Sequence, residues 1–255
     1  MDYNDYLKKI KKEKIIITLG RLLIFILIIL IWQLYQEKNT VNSFILSSPL
    51  KIIKTIINLY KQNNLFKHII ITIKETLIAF TITSLLSLFI AMILYTYNIL
   101  AKIVEPYLTI INSIPKVSLG PIIILLFGAN TKSIIIMAIL ISIFVSIQNI
   151  LNGFNQTDKL KIKLLNTFNS TKKDILFLLV IPYNKRTILN TFKINISMCL
   201  IGVISGEFLT SKMGIGYLIL YGSQVFNLDL VMSGLILLLI ISVIMYIIIS
   251  NIIKE

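Results

Sequence analysis

Long apolar runs separated by shorter polar segments dominate the chain. Six of these runs are long enough to cross a hydrocarbon layer of about 30 Å as helices. They are continuous in isoleucine and leucine and do not alternate with polar residues, as the strands of a membrane barrel do. The pattern therefore predicts an all-α integral membrane protein with six spans, at residues 15–35, 69–97, 107–127, 133–152, 190–210 and 230–252.

Charge along the chain orients these spans. The first span, residues 15–35, follows the lysine-rich tail 1–14, and such segments stay on the cytoplasmic side of a membrane. Six crossings return the C-terminus to the same side, together with the basic segment 153–189. The net charge of +14 lies in tails and loops beside the spans. We therefore interpret it as a topology signal that contacts anionic lipid, and not as a nucleic-acid-binding surface.

Residues 36–68 fall on the external side in this topology, and part of this segment has an amphipathic helical pattern. Ser48 is a suitable cap and Pro49 suits the first turn of a helix. We expect a helix that lies along the outer membrane interface, and a re-entrant or internal segment is the alternative. Its apolar residues recur at helical spacing: Ile52, Ile53, Ile56, Ile57 and Tyr60.

Three prolines lie in or directly before the third span, at positions 106, 115 and 121. A proline removes a helix hydrogen bond and bends the axis, which membrane helices tolerate when neighbours or water satisfy the freed carbonyl. Helices bent in this way are typical of proteins with a translocation path, although irregular packing is an equal alternative. We predict that Pro115 and Pro121 border such a path.

The fifth span carries two glycines one turn apart, Gly202 and Gly206, and the acidic Glu207 directly after them. Glycines at this spacing allow two helices to approach closely. A carboxylate in a span costs free energy and usually faces a partner, a cavity or water. We predict that these three residues border the path, and solvation of Glu207 from the external side is the alternative.

Residues that could carry chemistry are sparse. His68 is the one histidine and Cys199 the one cysteine, so the sequence offers neither a disulfide nor a zinc-type ligand set. The phosphate-binding pattern G-x-x-x-x-G-K-[ST] does not occur. We predict a protein without catalytic residues, metal or cofactor, and therefore not an enzyme.

The basic segment contains a helix–turn–helix pattern of its own. Asp158 is a good cap for a helix that runs to about Phe168. Ile162, Leu165 and Phe168 are three residues apart, which predicts a shared apolar face with Leu164 beside it. Asn169 then tolerates the left-handed conformation with which helices often end.

A second helix is expected after this turn. Thr171 and Asp174 have the spacing of a capping box, in which each side chain bonds the other residue's backbone. The apolar residues that follow extend the helix to Ile181, and Pro182 is expected to stop it. A hairpin of this kind, basic outside and apolar within, is typical of a part that docks on another protein.

The spacing of this hairpin resembles the cytoplasmic signature of ABC importer permeases, which begins with Glu-Ala-Ala and ends in Ile-x-Leu-Pro. Anchored on Pro182, the signature's opening triplet falls on Lys163, Leu164 and Leu165, and its glycine falls on Asn169. The proline-rich stretch 106–128 and the stretch 205–219 resemble permeases of the nitrate, sulfonate, taurine and bicarbonate type. The resemblance covers residues 45–252 in the same order.

The resemblance implies a six-span ABC type I importer permease with a MetI-like core, residues 69–252, in the inner (plasma) membrane. It implies alternating access driven by a separate ATP-binding subunit, an external solute-binding protein and a second permease copy, commonly identical. The solute would be a nitrate-, sulfonate- or taurine-like anion, or a thiamine-pyrimidine-type precursor. A proton-coupled secondary transporter or channel is the alternative. The ATPase would be coupled through Lys163, Leu164, Leu165, Phe168 and Asn169.

Overall fold

The computed structural model describes residues 3–38, 47–62 and 64–252, and this part of the chain forms twelve α-helices. A 3-10 turn, Lys116–Leu119, precedes α5, and a π-helical segment, Leu176–Val180, precedes α9. The helices are α1 (Tyr3–Lys38), α2 (Pro49–Lys61), α3 (Leu65–Thr96), α4 (Asn98–Ser113), α5 (Gly120–Phe127), α6 (Thr131–Asn155), α7 (Lys159–Thr167), α8 (Lys172–Ile175), α9 (Ile181–Tyr183), α10 (Lys185–Thr210), α11 (Ile215–Gln224) and α12 (Leu228–Ile252).

Five helices in the described residues are long and apolar enough to cross a membrane, namely α1 through its segment Ile15–Gln36, α3, α6, α10 and α12. A sixth crossing exists if α4 and the segment Lys116–Phe127 are counted as one span, and these two are bent by 88°. The span predicted over 107–127 is therefore not one continuous helix but is broken near its middle, and the count of six spans stays a prediction.

The three prolines of this region have different effects. Pro106 lies inside α4, whereas Pro121 lies in the first turn of α5, where its missing N–H costs no bond. Pro115 stands at the break. Ile114 before it has φ −74° and ψ 133°, the extended conformation that a following proline ring favours over the helical one. The break is thus the direct consequence of Pro115.

Three helices, α3, α6 and α10, pack together to form the centre of the bundle. Small residues allow their close approach, and a Cβ atom on Gly202 would lie 2.4 Å from the Cα of Ala138 in α6. A Cβ atom on Gly206 would lie 3.0 Å from the Cα of Ile134. Gly202 and Gly206 therefore hold the α10 backbone against α6, as small residues commonly do between membrane helices.

Buried polar side chains join the same three helices. The Asn195 Nδ2 atom donates to Ser84 Oγ over 2.8 Å, linking α10 to α3. Ser142 Oγ lies 3.2 Å from Thr83 Oγ1, linking α6 to α3. Cys199 is fully buried and its thiol donates to Ser142. Such bonds add to packing in an apolar surrounding where water is not available as a partner.

The first two helices lie at the edge of this bundle. None of the most apolar window in Ile15–Gln36 is buried, and α1 contacts α2 through the bond from the Leu50 N–H to Gln33 Oε1. Helix α2 begins as predicted, with Ser48 as cap and Pro49 in the first turn. Ile52 is buried against the bundle while Ile53 is exposed, so α2 has two distinct faces.

Candidate functional sites

The first helix of the hairpin is built by local signals that the sequence contains. The Asp158 side chain accepts the Leu160 N–H over 2.8 Å at the start of α7. The helix ends at Thr167, and Asn169 adopts φ 55°, the left-handed conformation. The predicted cap and the predicted turn are both confirmed.

The apolar residues of α7 divide between an inward and an exposed side. Ile162 and Leu165 are partly buried and pack against the cluster of core residues around Phe154. Leu164 is 58% exposed and Phe168 is 72% exposed. The predicted common face of Ile162, Leu165 and Phe168 is therefore wrong. Successive helical residues are about 100° apart, so residues 160, 164 and 168 follow one another in steps of about 40° and form a stripe beside the inward side of Ile162 and Leu165.

We call the outward apolar residues Leu160, Leu164 and Phe168 the hairpin surface. They are spaced four residues apart and all three are largely exposed. Lysines at positions 159, 161 and 163 are exposed beside them, and Lys161 Nζ lies 4.8 Å from the centre of the Tyr183 ring. The hairpin surface is thus apolar, rimmed by positive charge, and backed by residues that pack into the bundle.

The second helix starts as predicted but continues differently. Thr171 and Asp174 form the capping box, in which the Thr171 N–H and hydroxyl donate to Asp174 Oδ2 over 2.8 Å and 2.6 Å. These bonds hold the pKa of Asp174 below its usual value. Pro182 does not stop the helix. It occupies the first turn of α9, where no N–H is required, after the π-helical segment has reset the register.

A second candidate site lies at the other end of α10, around Glu207. Glu207 comes 22 residues after Lys185, the first residue of α10 beside the hairpin, which corresponds to about 33 Å along the helix. Glu207 is fully buried there. Its Oε1 atom accepts the Thr72 hydroxyl of α3 over 2.6 Å, and its Oε2 atom accepts the Gly216 N–H of α11 over 2.6 Å. One carboxyl group thus connects three helices, and in this structure it is not solvated from outside.

Two further side chains of α3 hold the same connection. The Thr72 hydroxyl oxygen accepts the Ile215 N–H over 2.9 Å. His68 Nδ1 lies 3.0 Å from both the backbone nitrogen and the carbonyl oxygen of Gly214, and its ring stacks on Tyr217 at 6.0 Å. The segment from Gly214 to Gly216, which leads from α10 into α11, is therefore fixed by α3 and by Glu207. We call it the α10–α11 connection.

Glu75 completes this buried cluster and was not among the predicted site residues. It lies one turn after Thr72 on α3, is 3% exposed, and faces Glu207 and Thr131. Its Oε2 atom is buried without a hydrogen-bond partner. The signal that could have found it is the rule that singles out Glu207, a carboxyl group inside a long apolar run.

The structure places some of the predicted path residues near the Glu207 end of α10 and others elsewhere. Gly206 and Glu207 are neighbours in α10, and Gly120 at the start of α5 lies against Leu209 two residues further on. This contact brings the start of α5, with Pro121, to the Glu207 end of α10. Pro115 lies at the break before α5, and Gly202 packs on Ala138. Whether these residues line a path stays a prediction.

A polar cavity of about 400 Å³ opens beside the α10–α11 connection, where α2, α3, α11 and α12 meet. Amide and hydroxyl groups dominate its wall, and His68 is the residue that it shares with the buried cluster. In the described residues no group of three or more His, Cys, Asp or Glu side chains could hold a metal ion.

The described residues thus form a bundle of helices long and apolar enough to cross a membrane, with an exposed hairpin that is both basic and apolar. Residues 83–255 match the family described as binding-protein-dependent transport system inner membrane component. The chain belongs to this family, whose members are the multi-pass inner-membrane permeases of ABC transporters.

Individual relatives agree with the family. A probable ABC transporter permease of Haemophilus influenzae is 26% identical over 88% of this chain and 91% of its own length. The formylaminopyrimidine transport permease ThiX of Halalkalibacterium halodurans is 25% identical over 76% of this chain and 77% of its own. The putative aliphatic sulfonates transport permease SsuC of Bacillus subtilis is 24% identical over 85% and 78%. The resemblance stated from the sequence is thereby confirmed at the level of the family.

Proposed function

We propose that this chain is the membrane-spanning subunit of an ABC importer, and that a separate cytoplasmic ATPase docks on its hairpin surface. Family membership supports the transport role. The observation that carries the docking assignment is the outward face of α7, where Leu164 and Phe168 are exposed although the same helix packs firmly inward through Leu165. Both termini then lie in the cytoplasm, in agreement with the lysine-rich N-terminal tail.

The residues of the hairpin have separate roles in this proposal. Leu164 and Phe168 enter an apolar groove of the ATPase, and Lys163 meets acidic groups on its rim. Leu165 does not contact the partner but fastens α7 to the bundle, so that motion of the ATPase reaches the spans. Asn169, at φ 55°, turns the chain so that α8 returns to the bundle.

Replacing Phe168 with aspartate tests this docking. The charge would have to be buried in the partner's groove without a counter-ion, so ATPase binding should weaken at least about tenfold, as at interface hot spots. The measurement is ATPase affinity and solute-dependent ATP hydrolysis for the complex in lipid nanodiscs. Solute uptake should fall in parallel, while the unfolding temperature of the permease stays unchanged.

The matched control is Phe226→Asp, at the opposite end of the bundle. Phe226 is 91% exposed with φ 54°, a conformation that aspartate tolerates. This variant should keep the wild-type affinity for the ATPase. Undiminished binding by Phe168→Asp would contradict the docking assignment. Uptake driven by a proton gradient with no ATPase in the complex would favour the secondary transporter instead.

The transported compound is proposed to be a small solute that an external binding protein delivers to a pair of these permeases, two identical copies. Relatives are named for formylaminopyrimidine, for aliphatic sulfonates and, in Chloroflexus aurantiacus, for riboflavin. These names support a sulfonate-like anion or a thiamine-pyrimidine-type precursor. The path would pass the α5 start and the Glu207 end of α10, bordered by Pro115, Pro121, Gly202, Gly206 and Glu207.

A further inference from the structure

Two acidic side chains from different helices meet inside the bundle. Glu75 of α3 and Glu207 of α10 are 3% and 0% exposed, and their carboxyl groups face each other. Two ionised carboxylates in such a position repel strongly, because the low dielectric constant around them screens little of the interaction. A buried pair of this kind therefore needs a positive charge or a proton.

No basic side chain in the described residues supplies that charge. Lys74 on α3, Lys132 on α6 and Lys212 after α10 are the nearest lysines along the chain, and all three are exposed. His68 Nδ1 lies 3.0 Å from both the backbone nitrogen and the carbonyl oxygen of Gly214, and its ring stacks on Tyr217, so its contacts are with these residues and not with the two carboxyl groups. Apart from each other, the two carboxyl groups interact with Thr72, Thr131 and the Gly216 N–H.

Hydrogen bonding distinguishes the two acids. Both oxygens of Glu207 accept a bond of 2.6 Å, one from Thr72 and one from Gly216, which suits an ionised carboxylate. Glu75 has one such donor, Thr131, and its Oε2 is buried without a hydrogen-bond partner. An oxygen that lacks donors is the expected place for a proton, because a protonated carboxyl group is itself a donor.

We propose that Glu75 and Glu207 form a proton-binding site, in which Glu75 carries the proton and donates it in a hydrogen bond to Glu207. This bond fastens α3 to α10 and, through Glu207 and Thr72, to the α10–α11 connection. Loss of the proton leaves two negative charges in contact, which separates the helices and loosens the start of α11. The site does not depend on ATPase docking, which takes place at the other end of α10.

The test is the pH dependence of unfolding for the full chain in detergent. A proton held by the folded state stabilises it at low pH, and this stabilisation is lost as the pH rises. The wild-type unfolding temperature should fall by at least about 2–4 °C between about pH 6 and about pH 9. A fall of that size corresponds to a loss of about fivefold in the folding equilibrium. Glu75→Gln keeps the donor and removes the charge, so it should abolish this fall.

Glu105→Gln is the matched control, since Glu105 is an exposed glutamate of α4. It should keep the wild-type fall. An infrared spectrum gives a second readout: the C=O band of a protonated carboxyl group should be present at neutral pH in the wild type and absent in Glu75→Gln. A wild-type pH dependence in Glu75→Gln, or no such band in the wild type, would overturn the proposal. Recovery of the high-pH stability by sodium ions alone would also overturn it, because a metal cation would then balance the charge.

Discussion

At the scale of single residues, Gly214 shows how closely the α10–α11 connection is packed. Its backbone has φ 111° and ψ 169°, a conformation that is almost restricted to glycine. A Cβ atom there would lie 2.3 Å from the Cδ of Glu207, which is itself fixed by two hydrogen bonds. Neither the backbone nor the neighbour can yield without breaking the buried cluster.

Gly214→Ala should therefore lower the stability of the protein by roughly 1–3 kcal/mol from backbone strain, with an added loss from the contact with Glu207. The unfolding temperature of the purified permease in detergent measures this change. Gly20→Ala is the control, because a Cβ atom on Gly20 would meet nothing within 4 Å. Equal unfolding temperatures for both variants would show that the connection is not held as described.

The acidic residues show what sequence reasoning can reach at this scale. Glu207 is recognisable because a carboxyl group is rare in an apolar run, and Glu75 satisfies the same rule. The contact between Glu75 and Glu207, in contrast, cannot be predicted from the sequence. It depends on the rotation of α3 and α10 about their axes, which is set where Gly202 and Gly206 pack on α6. No pattern within either helix contains that information.

At the scale of elements, some features of the hairpin are determined by local signals in the sequence and others by tertiary packing. Asp158, Asn169 and Thr171 act on backbone groups within three residues of themselves, so the caps and the turn follow from the sequence. The facing of α7 and the π-helical segment do not follow from it. The facing of α7 arises because Ile162 and Leu165 pack on the core cluster, and the π-helical segment places its own Leu176 and Val180 in that cluster.

The cap of α8 has a pH dependence of predictable sign. The pKa of Asp174 is lowered in the folded hairpin by the two bonds from Thr171. Its stabilising effect is therefore present above the ordinary pKa of aspartate, about 4, and is lost as the pH falls through the lowered value. Hydrogen exchange at Lys172–Ile175, corrected for intrinsic rates, should accelerate at acidic pH.

Asp174→Ala should show this fast exchange already at neutral pH and should lose the acid dependence, because the variant removes both the titrating group and the two bonds that its carboxylate accepts from Thr171. Asp229→Ala, which changes the first turn of α12, should leave exchange in α8 as in the wild type. Slow exchange in Asp174→Ala at neutral pH would mean that packing of Ile175, and not the cap, holds α8.

At the scale of the whole molecule, α1 is nearly independent of the remaining helices. Its apolar window has no buried residue, and the bond between Gln33 and Leu50 connects it to α2. The centre of the bundle is formed by α3, α6 and α10, which bury their small and polar residues against one another. Stability should therefore reside in the part that follows α1.

Cutting the folded chain between α1 and α2 tests this independence. A protease site introduced between residues 39 and 46 allows cleavage after purification, when every helix is already in place. The unfolding temperature of α2–α12 should stay that of the intact protein, because the cut removes no buried apolar area. The same cleavage in a loop between α6 and α7, where the core cluster would be divided, should lower it.

The number of spans is also decided at this scale. Hydropathy identifies all six apolar runs but does not distinguish a crossing from a helix broken by 88° at Pro115. The contact between Gly120 and Leu209 shows what the break achieves, since it turns the start of α5 toward the end of α10. A straight helix through 107–127 would carry these residues elsewhere.

The π-helical segment Leu176–Val180 has a consequence for how the length of this chain can vary. A π turn closes one residue later than an α turn, so it accommodates a single extra residue without displacing the helix on either side. Deleting one residue there would let the turn close as an ordinary α-helix, with α10 still in register. The segment is thus the place where deletion of one residue should be absorbed locally, while the hairpin and the spans keep their alignment.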